Sequence, residues 1–213
     1  KLSNARHEFF TSRIALQNCA WQTRRMTELV VESIAPERVE VGDGISIPTA
    51  WDVIVTGEPG VPGAIRLHGE YDDALRRAVA ATVRVDRVGE GDEVTAQVLR
   101  EARVQWLVAA SAFRIVTVAR EGGEFQPLSS YLADVRAHSD RTPTEARDQA
   151  IVLYRIASTI NLAPLKFVSD YLNVSVSTAT RMMARARQQG LAADLITRET
   201  YNRMQQDEQR RMT

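Results

Sequence analysis

The spacing of apolar residues changes character along the 213-residue chain, and each change predicts a different element. Phe9, Ile14, Trp21, Leu29 and Val30 recur at loosely helical spacing, which predicts an amphipathic helix, or two in succession, across residues 8–34, closed by Pro36. From 39 to 88 the texture turns to short β-branched runs punctuated by glycine and proline, at 39–41, 45–47, 51–56, 64–67 and 80–88. These read as strands of a small sheet. The clearest are Val53-Ile54-Val55 and the alternating Val83-Arg84-Val85-Asp86, where a period of two turns one face inward and the other to water. Residues 57–63, with two prolines and three glycines, form a loop, and Gly89-Glu90-Gly91-Asp92 forms a turn. Thr95 is placed to cap a short helix containing Val98 and Leu99, and a second helix spans 104–118. Gly122 and Gly123 begin a polar connection toward Pro127, beyond which Leu128, Tyr131, Leu132 and Val135 mark another short helix. That connection divides the chain into a mixed α/β domain with a small sheet, 1–124, and an all-α domain, 125–213, giving an α+β fold.

The helical part is the most fully specified. Thr142-Pro143-Thr144-Glu145 starts a helix with Thr142 as N-cap, Pro143 at the first helical position and Glu145 completing a capping box. Ala146, Ala150, Leu153, Ala157 and Ile160 form its apolar face, widened by Val152 and Ile156. Asn161 suits the left-handed residue that ends this helix, and Pro164 suits the start of the next, with Leu165, Val168 and Leu172 facing inward. Asn173 falls where a tight turn needs positive φ. Ser175 can cap a third helix by accepting from the amide of Ser177 or Thr178, with Val174 stapled against Ala179. At 100° per residue Ala179, Met182, Met183 and Ala186 share one face, while Ser177, Arg181, Ala184, Arg185 and Gln188 lie opposite, and Gly190 ends the helix.

The run Phe167-Val168-Ser169-Asp170-Tyr171-Leu172-Asn173-Val174-Ser175-Val176-Ser177-Thr178-Ala179-Thr180-Arg181 resembles the helix-turn-helix core of bacterial transcription regulators. Arg185-Ala186-Arg187-Gln188-Gln189-Gly190-Leu191 is similar to the end of the recognition helix in those proteins, winged-helix regulators included. The family usually carries glycine at position 173 and alanine at 169, and no wing-like pattern follows Leu191. The resemblance implies sequence-specific binding of double-stranded DNA and transcription regulation, with a helix-turn-helix at 164–190 and a recognition helix at 176–189 in the major groove. It places Ser177, Thr178, Thr180 and Arg181 nearest the base edges, Arg181 bidentate on a guanine. Lys166, Ser175, Arg185, Arg187 and Gln188 would meet phosphates, together with the helix N-termini at Pro164 and Ser175. One short motif buries little surface, so a homodimer on a two-fold site is expected, with the N-terminal domain supplying dimerisation or a protein partner surface. Two other readings fit the same helices: a protein-interaction or assembly module, and the DNA-reading part of a recombination, replication or partition complex.

Charge narrows the picture. With 27 basic and 27 acidic residues the chain has no overall field for a polyanion, so affinity must come from a local patch. From Glu145 onward basic residues exceed acidic ones by 10 to 7. All but two of the basic residues are arginine, a bias typical of GC-rich coding that fits an actinobacterial or actinophage source. Cys19 is the single cysteine, so no intrachain disulfide forms and a reducing, cytoplasmic setting is expected; beside Ala20 and Trp21 it reads as buried and inert. The longest apolar stretch is broken by Gln105, Ser111 and Arg114, short of the ~20 residues of a membrane span. His7, His68 and His138 lack metal-site spacing, and His68-Gly69-Glu70-Tyr71-Asp72-Asp73 reads as a solvated turn rather than an acid/base or cation site. No phosphate-cradling loop or nucleophile elbow occurs, so neither catalysis nor a cofactor is expected. The tail, 197–213, is expected to extend helically and assist pairing.

Overall fold

The computed structural model describes residues 27–87, 89–120, 122–192 and 194–195. The N-terminal half supplies β1 (Glu28–Ile34), β2 (Arg38–Gly42), β3 (Ile45–Pro48), β4 (Ala50–Thr56), β5 (Ala64–Asp72) and β6 (Arg77–Asp86). Next come α1 (Ala96–Glu101), α2 (Val104–Ile115), β7 (Thr117–Ala119) and β8 (Phe125–Pro127). The chain then turns helical, with α3 (Leu128–Ala137), α4 (Pro143–Thr159), α5 (Pro164–Leu172) and α6 (Val176–Gln188). The architecture is mixed α+β, with strands in the N-terminal part and helices toward the C-terminus. Among the described residues no helix is long and apolar enough to cross a membrane.

The strands form two antiparallel sheets rather than one, ordered β1-β4-β5-β6 and β2-β3-β7-β8. The β2–β3 hairpin interrupts the first sheet between β1 and β4, and its partners come from residues 117–127. Residues 28–34, expected to end a helix, are strand β1. Leu29 pairs with Val55 and Val31 with Val53, and the β-branched Val30-Val31 pair favours that pleated, half-buried setting over a helix. The remainder of that expected helix, 8–26, lies outside the described residues, as do Cys19, His7 and the tail 197–213.

On the inner face of the first sheet Leu29, Val53, Val55, Ile65 and Leu67 are buried against Leu107, Val108, Ala112 and Ile115 of α2. Trp51 is the largest member of this core, and its indole Nε1 donates to Ser111 Oγ at 3.0 Å, satisfying the one polar atom that burial would orphan. Gly69 stands opposite Trp51 in the register, and a Cβ there would lie 2.4 Å from Trp51 Cε2. The glycine is therefore the space the indole occupies, and 68–72 is strand rather than the expected solvated turn. The real turn follows, with Arg76 at φ 51 and Asp72 Oδ1 accepting from the Leu75 amide at 2.8 Å. The alternation expected at 83–86 sets Val83 and Val85 on one face, but burial is incomplete there: Val83 is 37% exposed. The register is unbroken there, with Val83 opposite Leu67 and Val85 opposite Ile65, but β6 is an edge strand and leaves even its core-facing side partly open.

Helix α2 stops at Ile115, earlier than the pattern through 118 suggests, because Thr117 and Val118 pair with Ser46 and Ile45 of β3. Arg38 closes the helix end: its Nη2 donates to Ile115 O at 3.1 Å and to Thr117 Oγ1 at 3.0 Å, placing a cation on the negative pole of α2. Gly122 (φ 113) and Gly123 (φ 87), expected to form a polar connection, make the turn of the β7–β8 hairpin. Buried apolar residues run in one cluster from Leu29 to Leu195, and α3 packs against both α2 and α5. Arg155 of α4, 7% exposed, joins the sheets to the helices: its Nε donates to Asp43 Oδ2 at 2.7 Å, and its Nη1 donates to Val41 O at 3.2 Å and to Asp194 just beyond α6.

Candidate nucleic-acid interface

The helices α4, α5 and α6 are bounded by chemically specified residues. At α4, the Glu145 amide donates to Thr142 Oγ1 at 3.2 Å and the Thr142 amide to Glu145 Oε2 at 2.7 Å, a complete capping box. That backbone bond from Thr142 holds the Glu145 carboxyl below the usual carboxylate range. Ala150, Leu153, Ile156, Ala157 and Ile160 are fully buried, and Asn161 at φ 61 ends the helix with the Leu162 amide donating to Ala157 O at 2.8 Å. Pro164 occupies the first turn of α5, whose N-terminal amides have no side-chain cap.

The connection from α5 to α6 is Asn173-Val174-Ser175, with Asn173 in the left-handed region at φ 53. Ser169, where the resembled family carries alanine, ties this turn: its Oγ donates to Val174 O at 2.6 Å while the Val174 amide donates to Ser169 O at 3.1 Å. Ser175 caps α6 by accepting from the Thr178 amide at 3.1 Å. Ala179, Met183 and Ala186 are buried at 0% exposure, so the helix is seated along one line against α4 and α5. Gly190 at φ 77 ends it, the Leu191 amide reaching back to Ala186 O and the Gly190 amide to Arg187 O, both at 3.0 Å.

Of the base-contact residues expected from sequence, Ser177, Thr180 and Arg181 are exposed on the side of α6 away from the core, and Thr178 is half-buried beside them. Their hydroxyls are already organised. Ser175 Oγ lies 2.8 Å from Ser177 Oγ and 2.9 Å from Thr178 Oγ1, and Arg181 Nη2 leans toward Thr178 Oγ1 at 3.5 Å. Thr180 Oγ1 donates to Val176 O at 2.8 Å, so its proton is committed to the helix backbone.

The expected phosphate contacts divide. Ser175, Arg185 and Gln188 are exposed, and the Arg185 guanidinium has no hydrogen bond or ion pair among the described residues. Lys166 is exposed but holds Asp170 one turn along α5, with Nζ 3.0 Å from both carboxylate oxygens. This exposed pair is worth about 0.3–0.5 kcal/mol and can be exchanged for a stronger anion. Arg187 is drawn inward: its guanidinium lies 5.4 Å from the centroid of the Tyr154 ring, and its Nε is buried without a hydrogen-bond partner. The way α6 crosses α4 sets Arg187 against Tyr154, so it serves packing before it serves a ligand. Sequence reasoning passed over Val176, 49% exposed on the first turn of α6. The wheel gave no clear signal for it: four residues before Thr180 and seven before Met183, Val176 falls on the border between the outward face and the buried stripe. Arg136 of α3 was also unremarked; its guanidinium stacks 4.3 Å from the Tyr171 ring centroid.

Elsewhere, His68 Nδ1 is 2.7 Å from Asp52 Oδ1 and its Nε2 is 3.2 Å from Glu70 Oε1. The bond to Asp52 raises the imidazole above its ordinary value against the smaller opposing effect of burial. Ser33 Oγ donates to Asp52 Oδ2 at 2.6 Å rather than to the imidazole, so this trio is an ion-pair cluster on the outer sheet face, not a nucleophile with its base. No protein-family model, no characterised protein and no solved structure matches the chain.

Proposed function

We propose that the protein binds double-stranded DNA in a sequence-specific manner, inserting the outward face of α6 into the major groove as a helix-turn-helix protein does, and that it acts as a transcription regulator. One observation carries the reading. α6 contains Arg181, Arg185 and Arg187 and no carboxylate, while Ala179, Met183 and Ala186 anchor its opposite side at 0% exposure. A surface helix that served folding alone would gain from acidic partners at i±4, and none is present. A rigid helix of 13 residues with exposed Ser177, Arg181, Arg185 and Gln188 has the width and chemistry to enter a groove about 12 Å across. A second copy on a two-fold site would double the contact that one such helix makes.

The test is selection from a random duplex library followed by affinity measurements over a range of salt. Arg181→Ala is expected to cost about 1–3 kcal/mol on the selected sequence and to relax preference at one base pair. Arg185→Ala weakens all sequences alike and reduces the slope of log K against log salt by about 0.9. An unchanged salt slope in both variants, or binding that persists undiminished at high salt, would move the helices to a protein-partner role.

A further inference from the structure

We infer that Val176 and Thr180 form a methyl-reading patch on α6, specific for the 5-methyl group of a thymine next to the base pair contacted by Arg181. This rests on the DNA-binding reading above and goes beyond it by naming a base. Val176 is 49% exposed at the first position of a helix whose cap is closed by the Ser175–Thr178 bond at 3.1 Å, so its exposure belongs to an ordered turn rather than a frayed end. Local structure does not call for valine there. It is a poorer helix former than alanine or a straight-chain residue, and it is not among the buried residues Ala179, Met183 and Ala186 that seat the helix.

Thr180 stands one turn further along the same side, and its hydroxyl donates to the carbonyl of Val176 itself at 2.8 Å. With its proton spent on the backbone, Thr180 offers a methyl and an acceptor lone pair to whatever approaches. The outward face of the first turns is thus divided lengthwise. One flank, bordering the buried stripe, carries the exposed Val176 and Thr180; the other carries the exposed Ser177 and Arg181. In the major groove only thymine presents a methyl, and the guanidinium fork matches guanine O6 and N7. A helix with these two flanks side by side fits a step in which a thymine adjoins a guanine on one strand or across the pair.

The experiment replaces thymines with deoxyuridine, one at a time, in the tightest duplex recovered from the random library. The exchange deletes the methyl and leaves every hydrogen-bonding group in place. Wild type is expected to lose about 3- to 10-fold in affinity at one or two thymines beside the guanine protected by Arg181. Val176→Ala, an exposed change that favours the helix, should bind the thymine duplex more weakly by a similar factor and no longer distinguish it from the uracil duplex. Thr180→Val should keep the discrimination, and Thr180→Ser should reduce it. If wild type binds the selected duplex but is indifferent to every uracil exchange, or if Val176→Ala discriminates as wild type does, the methyl reading is overturned while DNA binding stands. If wild type selects no sequence at all, the DNA-binding reading falls and takes this inference with it.

Discussion

Arg155→Met removes a guanidinium that is 8% exposed and leaves its two carboxylate partners in place, Asp43 at 33% and Asp194 at 44% exposure. Burial by itself would depress this arginine, but Asp194 and Asp43 outweigh it and raise its pKa, so the side chain is charged at any usable pH. Removing one member of a buried ion pair costs about 3–5 kcal/mol, chiefly because the other is left uncompensated. Water reaches a third or more of each carboxylate and Asp194 keeps Arg76 Nη2 at 3.4 Å, which places the expected loss lower, at about 2–3 kcal/mol, or about 4–12 °C in Tm for a chain of this size. Methionine keeps most of the volume, so cavity formation adds little. The assay is urea unfolding followed by the fluorescence of the chain's three tryptophans, among them Trp51 in the sheet core and Trp106 on α2, and by far-ultraviolet circular dichroism, which reports the helices. Because Arg155 and the continuous core couple α4 to the β2–β3 turn, the two signals should coincide in wild type, and the variant should shift the midpoint of both without changing the slope. A loss under about 0.5 kcal/mol would rank the cluster with ordinary surface pairs and refute this reasoning. Two separated transitions in wild type would show that sheets and helices unfold independently.

The turn before α6 gives a second test: Asn173 sits at φ 53, so Asn173→Gly should be neutral within about 0.5 kcal/mol, whereas Asn173→Val should destabilise by about 1–2 kcal/mol in the same urea assay. A third concerns pH. The bond to Asp52 lifts His68 above its ordinary 6.5, so the folded state favours the protonated imidazole. That contribution is complete below about pH 6.5 and fades as the pH rises through the raised folded value. Urea midpoints of wild type measured from about pH 5.5 to about 8.5 should therefore fall relative to those of His68→Gln, and parallel curves would contradict the assignment.

The helices α4, α5 and α6 were legible because their signals are local: Thr142 with Glu145, Pro164, Asn173, Ser175 and Gly190 each act within a few residues of where they stand. The strands at 39–41, 45–47 and 51–56 were legible for the same reason, as dense β-branched runs. What escaped depends on distant partners. Leu29 and Val31 are strand residues because β4 lies alongside, and Gly69 is in a strand because Trp51 needs its missing side chain. No local pattern announces a second sheet assembled from residues 38–48 and 117–127. At the candidate interface the helical wheel correctly separated Ala179, Met183 and Ala186 from Ser177, Arg181, Arg185 and Gln188. It could not foresee that Arg187 would settle against Tyr154, since that depends on how α6 crosses α4. The hold of Lys166 on Asp170, by contrast, was readable from their four-residue spacing.

The central claim, that the outward face of α6 meets duplex DNA, is tested most directly by titrating the isotope-labelled protein with a short mixed-sequence duplex at low salt and following backbone amide shifts. The account predicts changes concentrated at Ser175, Val176, Ser177, Thr180, Arg181, Arg185 and Gln188, with the first turn of α5 affected and the β1-β4-β5-β6 sheet silent. Shifts centred on that sheet, or an α6 that remains unperturbed while the duplex binds elsewhere, would contradict it.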